Sequence, residues 1–236
     1  MDYQLQPFGD NAVMVIFGEK NERSIHQHVQ KLADFLQDNP FDWMTAYIPA
    51  FTNITLFYEP IKIMQENDTT DPYSVVCKDL ESVLGNLQHV PQTPANTIDI
   101  PVCYGGAYGP DLEVIAKHNQ LTREEVIRIH SQGDYLVYMI GFSPAFPYIG
   151  GMPDKINTPR KATPRISIPA GSVGIAGGQT GIYPLASPGG WQIIGRTPLK
   201  LFQPASEKPS LLKAGDRVRF TPISEMAYQK WGDAND

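Results

Sequence analysis

Between Asp154 and Glu207 the sequence carries no acidic residue, yet it holds Lys155, Arg160, Lys161, Arg165, Arg196 and Lys200. The same interval contains AGSVGIAGGQTGIYPLASPGGW (170–191), with seven glycines and no histidine. Cations beside unencumbered backbone N–H groups are the chemistry of carboxylate or phosphate capture. The expected anion site draws on Arg165 first, at the root of a strand over Ile166–Ile168, and on Arg196 second, at the end of WQIIGR. Backbone at Gly177 and Gly189, with the side chains of Gln179, Thr180, Tyr183 and Ser187, would complete the binding set. The competing reading is that Arg165 pairs with an acid such as Asp216 and merely supports the fold. The segment lacks a general base. His130 is the candidate, either as a base placed by the loop that follows it or as a simple helix-end residue; otherwise the base comes from another chain.

Other chemistries are excluded on spacing. GSVGIAGG (171–178) is neither GxGxxG nor GxxxxGK[ST], and the chain has no Gly-Lys pair, so there is no Walker A loop. GFSPA (141–145) and AGSVG (170–174) nearly match a nucleophile elbow. There the residue after the serine must donate its N–H to an oxyanion. Pro144 follows Ser143 and has no N–H to donate, and the glycines after Ser172 forbid the required helix. The five histidines at 26, 28, 89, 118 and 130 form no metal-ligand spacing, so no metal site is expected.

The elements that must position these residues fall into two groups. YQLQPF (3–8), AVMVIF (12–17), TAYIPA (45–50) and NITLFY (53–58) read as strands. Ile25, Val29, Leu32 and Leu36 recur at helical spacing and stop before Pro40, and a second helix opens at Asp71-Pro72. The order ββαββα predicts an α+β sandwich domain over residues 1–92, with its helices on one face of an antiparallel sheet. HVPQTPAN (89–96) is the expected linker. A second domain, 93–236, starts with TIDIPV (97–102) and helices at 111–119 and 122–131, the latter opened by a Thr122–Glu125 capping box. After Gly133, short apolar runs broken by Gly or Pro predict a closed or nearly closed, mainly-β barrel. The glycine-rich stretch reads as poor material for central strands.

Composition is that of an ordinary globular protein, tilted toward turns and strands by 21 prolines and 20 glycines. The 236 residues carry a net charge of −6, which disfavours nonspecific nucleic-acid binding. The longest apolar run, YLVYMIGF (135–142), is too short to span a bilayer, and the N-terminus does not resemble a signal peptide. Two isolated cysteines, Cys77 and Cys103, fit a reducing, cytoplasmic setting.

Five runs carry a resemblance: PVCYGGAYGPDL (101–112), GFSPAFPYIGG (141–151), TPR (163–165), PAGSVGIAGGQTGIYPLASPGGWQIIGRTP (169–198) and GDRVRF (215–220). With GDNAVMVIFG (9–18) and PAFTNITLFYEP (49–60), they make the chain resemble the family of 5-oxoprolinase B subunits, also called allophanate hydrolase subunit 1 or KipI-type. The resemblance implies a cyclophilin-like barrel, a larger homologous partner (the C subunit of 5-oxoprolinase) and a separate A subunit. It also implies ATP-dependent opening of 5-oxo-L-proline to L-glutamate, with ATP and its Mg2+ shared with the partner. Alternatives within the same likeness are an allophanate or urea-type amide hydrolase or carboxyltransferase subunit, and a non-catalytic inhibitor of a sensor histidine kinase. One departure stands out: the family usually places Gly where this chain has Ala145. If that backbone needs a positive φ, alanine is strained.

Overall fold

A computed structural model describes residues 2–20, 22–89 and 95–233. The chain packs as two compact units, Met1–Pro94 and Ala95–Asp236. The expected boundary at 92/93 and most of the expected linker lie outside the described residues.

In the first unit, β1 (Gln4–Pro7), β2 (Ala12–Ile16), β3 (Met44–Pro49) and β4 (Asn53–Tyr58) form an antiparallel sheet in the order β1-β2-β4-β3. Alternation puts Val13, Val15, Ile54, Leu56 and Tyr58 into one core. Val29, Leu32 and Leu36 of α1 (Arg23–Asp38) join it, as do Val76, Leu80 and Leu84 of α3 (Pro72–Leu84). Asp71 caps α3 by accepting from the Ser74 N–H, and Pro72 occupies the first turn, as the Asp-Pro pair predicts. The observed order is ββαββαα, because a further helix, α2 (Pro60–Asn67), follows β4 directly. Only Ile63 of α2 is buried, so the segment has no apolar stripe from which to read it.

The second unit is built on β5 (Thr97–Tyr104), α4 (Leu112–His118), α5 (Arg123–Ser131), β6 (Tyr135–Ile140), β7 (Pro147–Gly150) and β8 (Arg165–Ile168). It continues through β9 (Ser172–Ala176), β10 (Gln179–Ile182), β11 (Ser187–Gly189), β12 (Gln192–Arg196), β13 (Arg217–Pro222) and α6 (Glu225–Asp233). Seven strands close into a barrel in the order β10-β7-β6-β13-β5-β12-β9, while β8 and β11 pair as a separate two-stranded sheet. The α5 capping box forms as expected: Thr122 accepts from the Glu125 N–H, and Glu125 accepts from the Thr122 N–H. Ile100, Val102, Val173, Ile175, Ile182 and Ile194 meet Leu112 and Ile115 of α4 and Val126 of α5 in the main core.

Here one expectation is corrected. The glycine-rich stretch supplies central strands after all: β9 is buried along its whole length and is paired on both sides, by β10 and by β12. The reason is close approach. Gly174 and Gly181 are cross-strand partners. A Cβ on Gly174 would come within 3.1 Å of the Trp191 Cβ, and one on Gly181 within 3.0 Å of the Trp191 ring and 2.9 Å of the Pro147 carbonyl. Without side chains at these two positions, an aromatic cluster can pack directly against the strands.

Candidate functional site

That aromatic cluster is the second core of the unit: Phe146, Ile168, Ala176, Tyr183, Trp191 and Ile193, with Tyr148 packed against it. Phe146 sits edge-on to Tyr183, Trp191 and Tyr148, with centroids 5.2, 5.6 and 5.0 Å away. Above these rings opens a cleft of about 230 Å³. Phe142, Phe146, Tyr148, Tyr183 and Trp191 wall it, Gly189 and Gly190 contribute backbone, and Pro164 and Pro188 edge it. Its single charged lining residue is Arg160, whose guanidinium carbon lies 6.0 Å from the Trp191 ring centroid in a cation–π contact. Among the described residues Arg160 forms no ion pair.

Arg165, Lys161 and Arg196 are committed elsewhere. Arg165 donates from Nη2 to Asp111 Oδ1 at 2.8 Å, and Lys161 reaches the same oxygen at 3.4 Å. The Ile193 N–H donates to Asp111 Oδ2 at 2.7 Å. Asp111 is 3% exposed. Burial alone would raise its pKa, but the Arg165 and Ile193 hydrogen bonds and the two positive charges prevail and hold it below the usual carboxylate value. Arg165 therefore helps to tie β8, the start of α4 and β12 to one carboxylate, and its acid is Asp111, not Asp216. Arg196 donates from Nε to the Ala170 carbonyl at 2.6 Å.

His130 lies in the interior. It is completely buried against Tyr104, Tyr135 and Phe220, with Nδ1 2.8 Å from the Tyr104 hydroxyl and Nε2 3.0 Å from Thr180 Oγ1. Burial pushes its pKa down to about 3. With both nitrogens engaged and no solvent contact, it has the environment of a neutral core histidine. Thr180, also buried, donates to the Gly174 carbonyl and so belongs to the same interior network.

The expected site residues thus separate. Tyr183 and Gly189 line the cleft, with Ser187 two residues before Gly189 on β11. Gly177 turns between β9 and β10 with φ +58°, and Gln179 opens β10. Because β9 and β10 lie within the barrel ladder, their amides serve the sheet and do not form a phosphate cradle. Sequence reasoning missed Arg160, Trp191, Phe142, Phe146 and Tyr148 as a set. The usable signals were the acid-free interval around Arg160 and the aromatic residues flanking the glycines.

The loop joining β6 to β7 borders the cleft and is strained. Phe142 has φ +67° and Ala145 φ +62°. Non-glycine residues in this left-handed region cost about 1–2 kcal/mol each, and such strain gathers where a loop must hold a ligand-binding shape. The alanine at 145 therefore does occupy a position suited to glycine. Ala145→Gly is expected to stabilise the protein by about 0.5–1 kcal/mol, since strain relief exceeds the added chain entropy. Thermal melting should rise by about 1–4 °C; an unchanged or lower midpoint would show that the surrounding loop already absorbs the strain.

Comparison with known proteins adds four findings. The family described as "Carboxyltransferase domain, subdomain C and D" matches residues 3–212. The 5-oxoprolinase B subunit of Bacillus subtilis (strain 168) is 46% identical over 236 residues, covering 99% of this chain and 98% of that protein. The 5-oxoprolinase B subunit of Escherichia coli O157:H7 is 41% identical over 219 residues, covering 92% and 94%. Among solved structures, TTHA0988 superposes with a TM-score of 0.75 at 33% identity; the match covers 90% of this chain but 40% of that longer one. No helix among the described residues is long and apolar enough to cross a membrane.

Proposed function

We propose, since this chain belongs to the carboxyltransferase-domain C and D family that includes the B subunits of 5-oxoprolinase, that it is one subunit of an ATP-dependent complex opening 5-oxo-L-proline to L-glutamate. The observation that carries the reading is the likeness to two proteins of that name, which covers 99% and 92% of this chain and 98% and 94% of theirs. The cleft is consistent with it. A five-membered lactam bearing a carboxylate needs apolar walls for its ring and one cation for its charge, and the lining offers both.

The same lining argues for a shared site. It contains no carboxylate, histidine, cysteine or lysine to act as a general base. ATP supplies phosphorylation of the lactam carbonyl oxygen when bound, which turns a poor leaving oxygen into a good one. The glycine-rich amides of this chain do not fit a triphosphate, so we place the nucleotide and its Mg2+ chiefly on the larger partner, the C subunit of 5-oxoprolinase. The residues of this chain bind and orient the lactam, and their aromatic walls exclude water from it. The A subunit completes the complex.

The purified chain alone should hydrolyse no ATP in response to 5-oxoproline. Mixed with the C and A subunits, it should form a stable complex in which glutamate release depends on both ATP and 5-oxoproline. Robust turnover by the single chain would sink the shared-site reading. A correctly assembled complex that releases no glutamate would sink the proposed activity.

A further inference from the structure

Resting on that proposed activity, we infer that the aromatic cleft beside Arg160 binds the substrate ring, with Arg160 pairing with its carboxylate. Three observations converge. Of the arginines in the acid-free interval, Arg165 pairs with Asp111 and Arg196 hydrogen-bonds the Ala170 carbonyl, whereas Arg160 makes neither an ion pair nor a hydrogen bond among the described residues. Arg160 lines the cleft with its guanidinium carbon 6.0 Å from the Trp191 ring centroid, so its charge stands beside the aromatic wall. No acidic residue lines the cleft to compete for it.

Tyr183 lines the same cleft: burial raises the pKa of its hydroxyl, while the Trp191 backbone N–H and the charges of Arg160 and Arg165 oppose that rise.

Two substitutions separate a binding role from a structural one. Arg160→Gln removes an exposed side chain and should leave folding intact. A Cβ at Gly190 has nothing nearer than 3.7 Å, and its neighbours include the cleft wall Pro164. Gly190→Leu should therefore fold and partly fill the cleft.

The assembled complex is titrated with 5-oxo-L-proline, with 2-pyrrolidone (the same ring without a carboxylate) and with a non-hydrolysable ATP analogue. Binding is followed calorimetrically, alongside the KM for turnover. Expected are a weakening of 5-oxoproline binding by about tenfold or more in Arg160→Gln, near-complete loss in Gly190→Leu, and at least tenfold weaker binding of 2-pyrrolidone to the wild type. The affinity for the ATP analogue should be unchanged in both variants, and so should their melting temperatures. Wild-type affinity and KM for 5-oxoproline in both variants would overturn the cleft assignment while leaving the proposed activity standing. Loss of ATP-analogue binding in the variants, with 5-oxoproline binding intact, would assign the cleft to the nucleotide and overturn the inference. Arg160-dependent binding of 5-oxoproline in a complex that releases no glutamate would uphold the cleft and overturn only the activity.

Discussion

Replacing Asp111 with alanine is expected to destabilise the protein by about 3–5 kcal/mol, the usual consequence of removing one partner from a buried ion pair. The carboxylate accepts from Arg165, Lys161 and the Ile193 N–H at once, and the backbone N–H of Asp111 donates to the Ile193 carbonyl at 2.8 Å. Removing it leaves a buried amide of β12 unpaired and a guanidinium without its counterion. The melting midpoint should fall by about 6–20 °C. Arg165→Gln should fall less, because the Arg165 side chain is 27% exposed and water can take over part of its role. The same pair gives an acid limb to stability. The Asp111 pKa is depressed in the folded state, so its contribution is complete above the ordinary aspartate value and disappears as pH falls through the folded value. An Asp111→Ala midpoint within a degree or two of wild type would remove Asp111 from the framework. An Arg165→Gln variant that melts normally but binds substrate poorly would restore Arg165 to the anion site.

The contrast between Arg165 and Arg160 shows how far sequence could reach. Local signals were reliable: the Asp71-Pro72 start of α3, the Thr122–Glu125 capping box and the alternating runs of β2 and β4 depend on neighbours only a few residues apart. The acid-free interval is rich in cations. Which of those cations is uncommitted depends on a partner 54 positions away, in the case of Asp111 and Arg165, and no periodicity encodes that. The glycines misled for a related reason. Their absent side chains leave room for Trp191 and Phe146, which come from other elements, so they form buried strands and not an open loop. His130 is similar: its helix was legible, but its enclosure by Tyr104, Tyr135 and Phe220 comes from strands on either side of it in sequence.

That enclosure makes His130 the source of a steep pH dependence. The Thr180 hydroxyl gives its own proton to the Gly174 carbonyl, so it accepts from His130 Nε2–H, and Nδ1 accepts from the Tyr104 hydroxyl. The network is complete with a neutral ring, and protonating Nδ1 would set two donors against each other in a dry site. Burial accordingly lowers the folded-state pKa to about 3, against an ordinary value of 6.5. Because the unfolded chain takes up this proton first, stability from His130 is complete above pH 6.5 and is lost as pH falls toward 3. The loss amounts to about 1.4 kcal/mol per pH unit, or roughly 3 kcal/mol by about pH 4.5. Tyr104 and Tyr135, whose pKa values burial raises, stay neutral throughout this window and do not contribute. His28, also held down by burial, lies in the first unit and is common to wild type and variant. His130→Gln should be less stable than wild type at about pH 7.5, because Tyr104 and Thr180 lose their shared partner. The gap should close by roughly 3 kcal/mol on going to about pH 4.5, since glutamine has no proton to take up. Urea midpoints for the two proteins across that range test the assignment. Parallel pH profiles would mean that burial does not hold His130 neutral and that its folded-state pKa lies near the ordinary value.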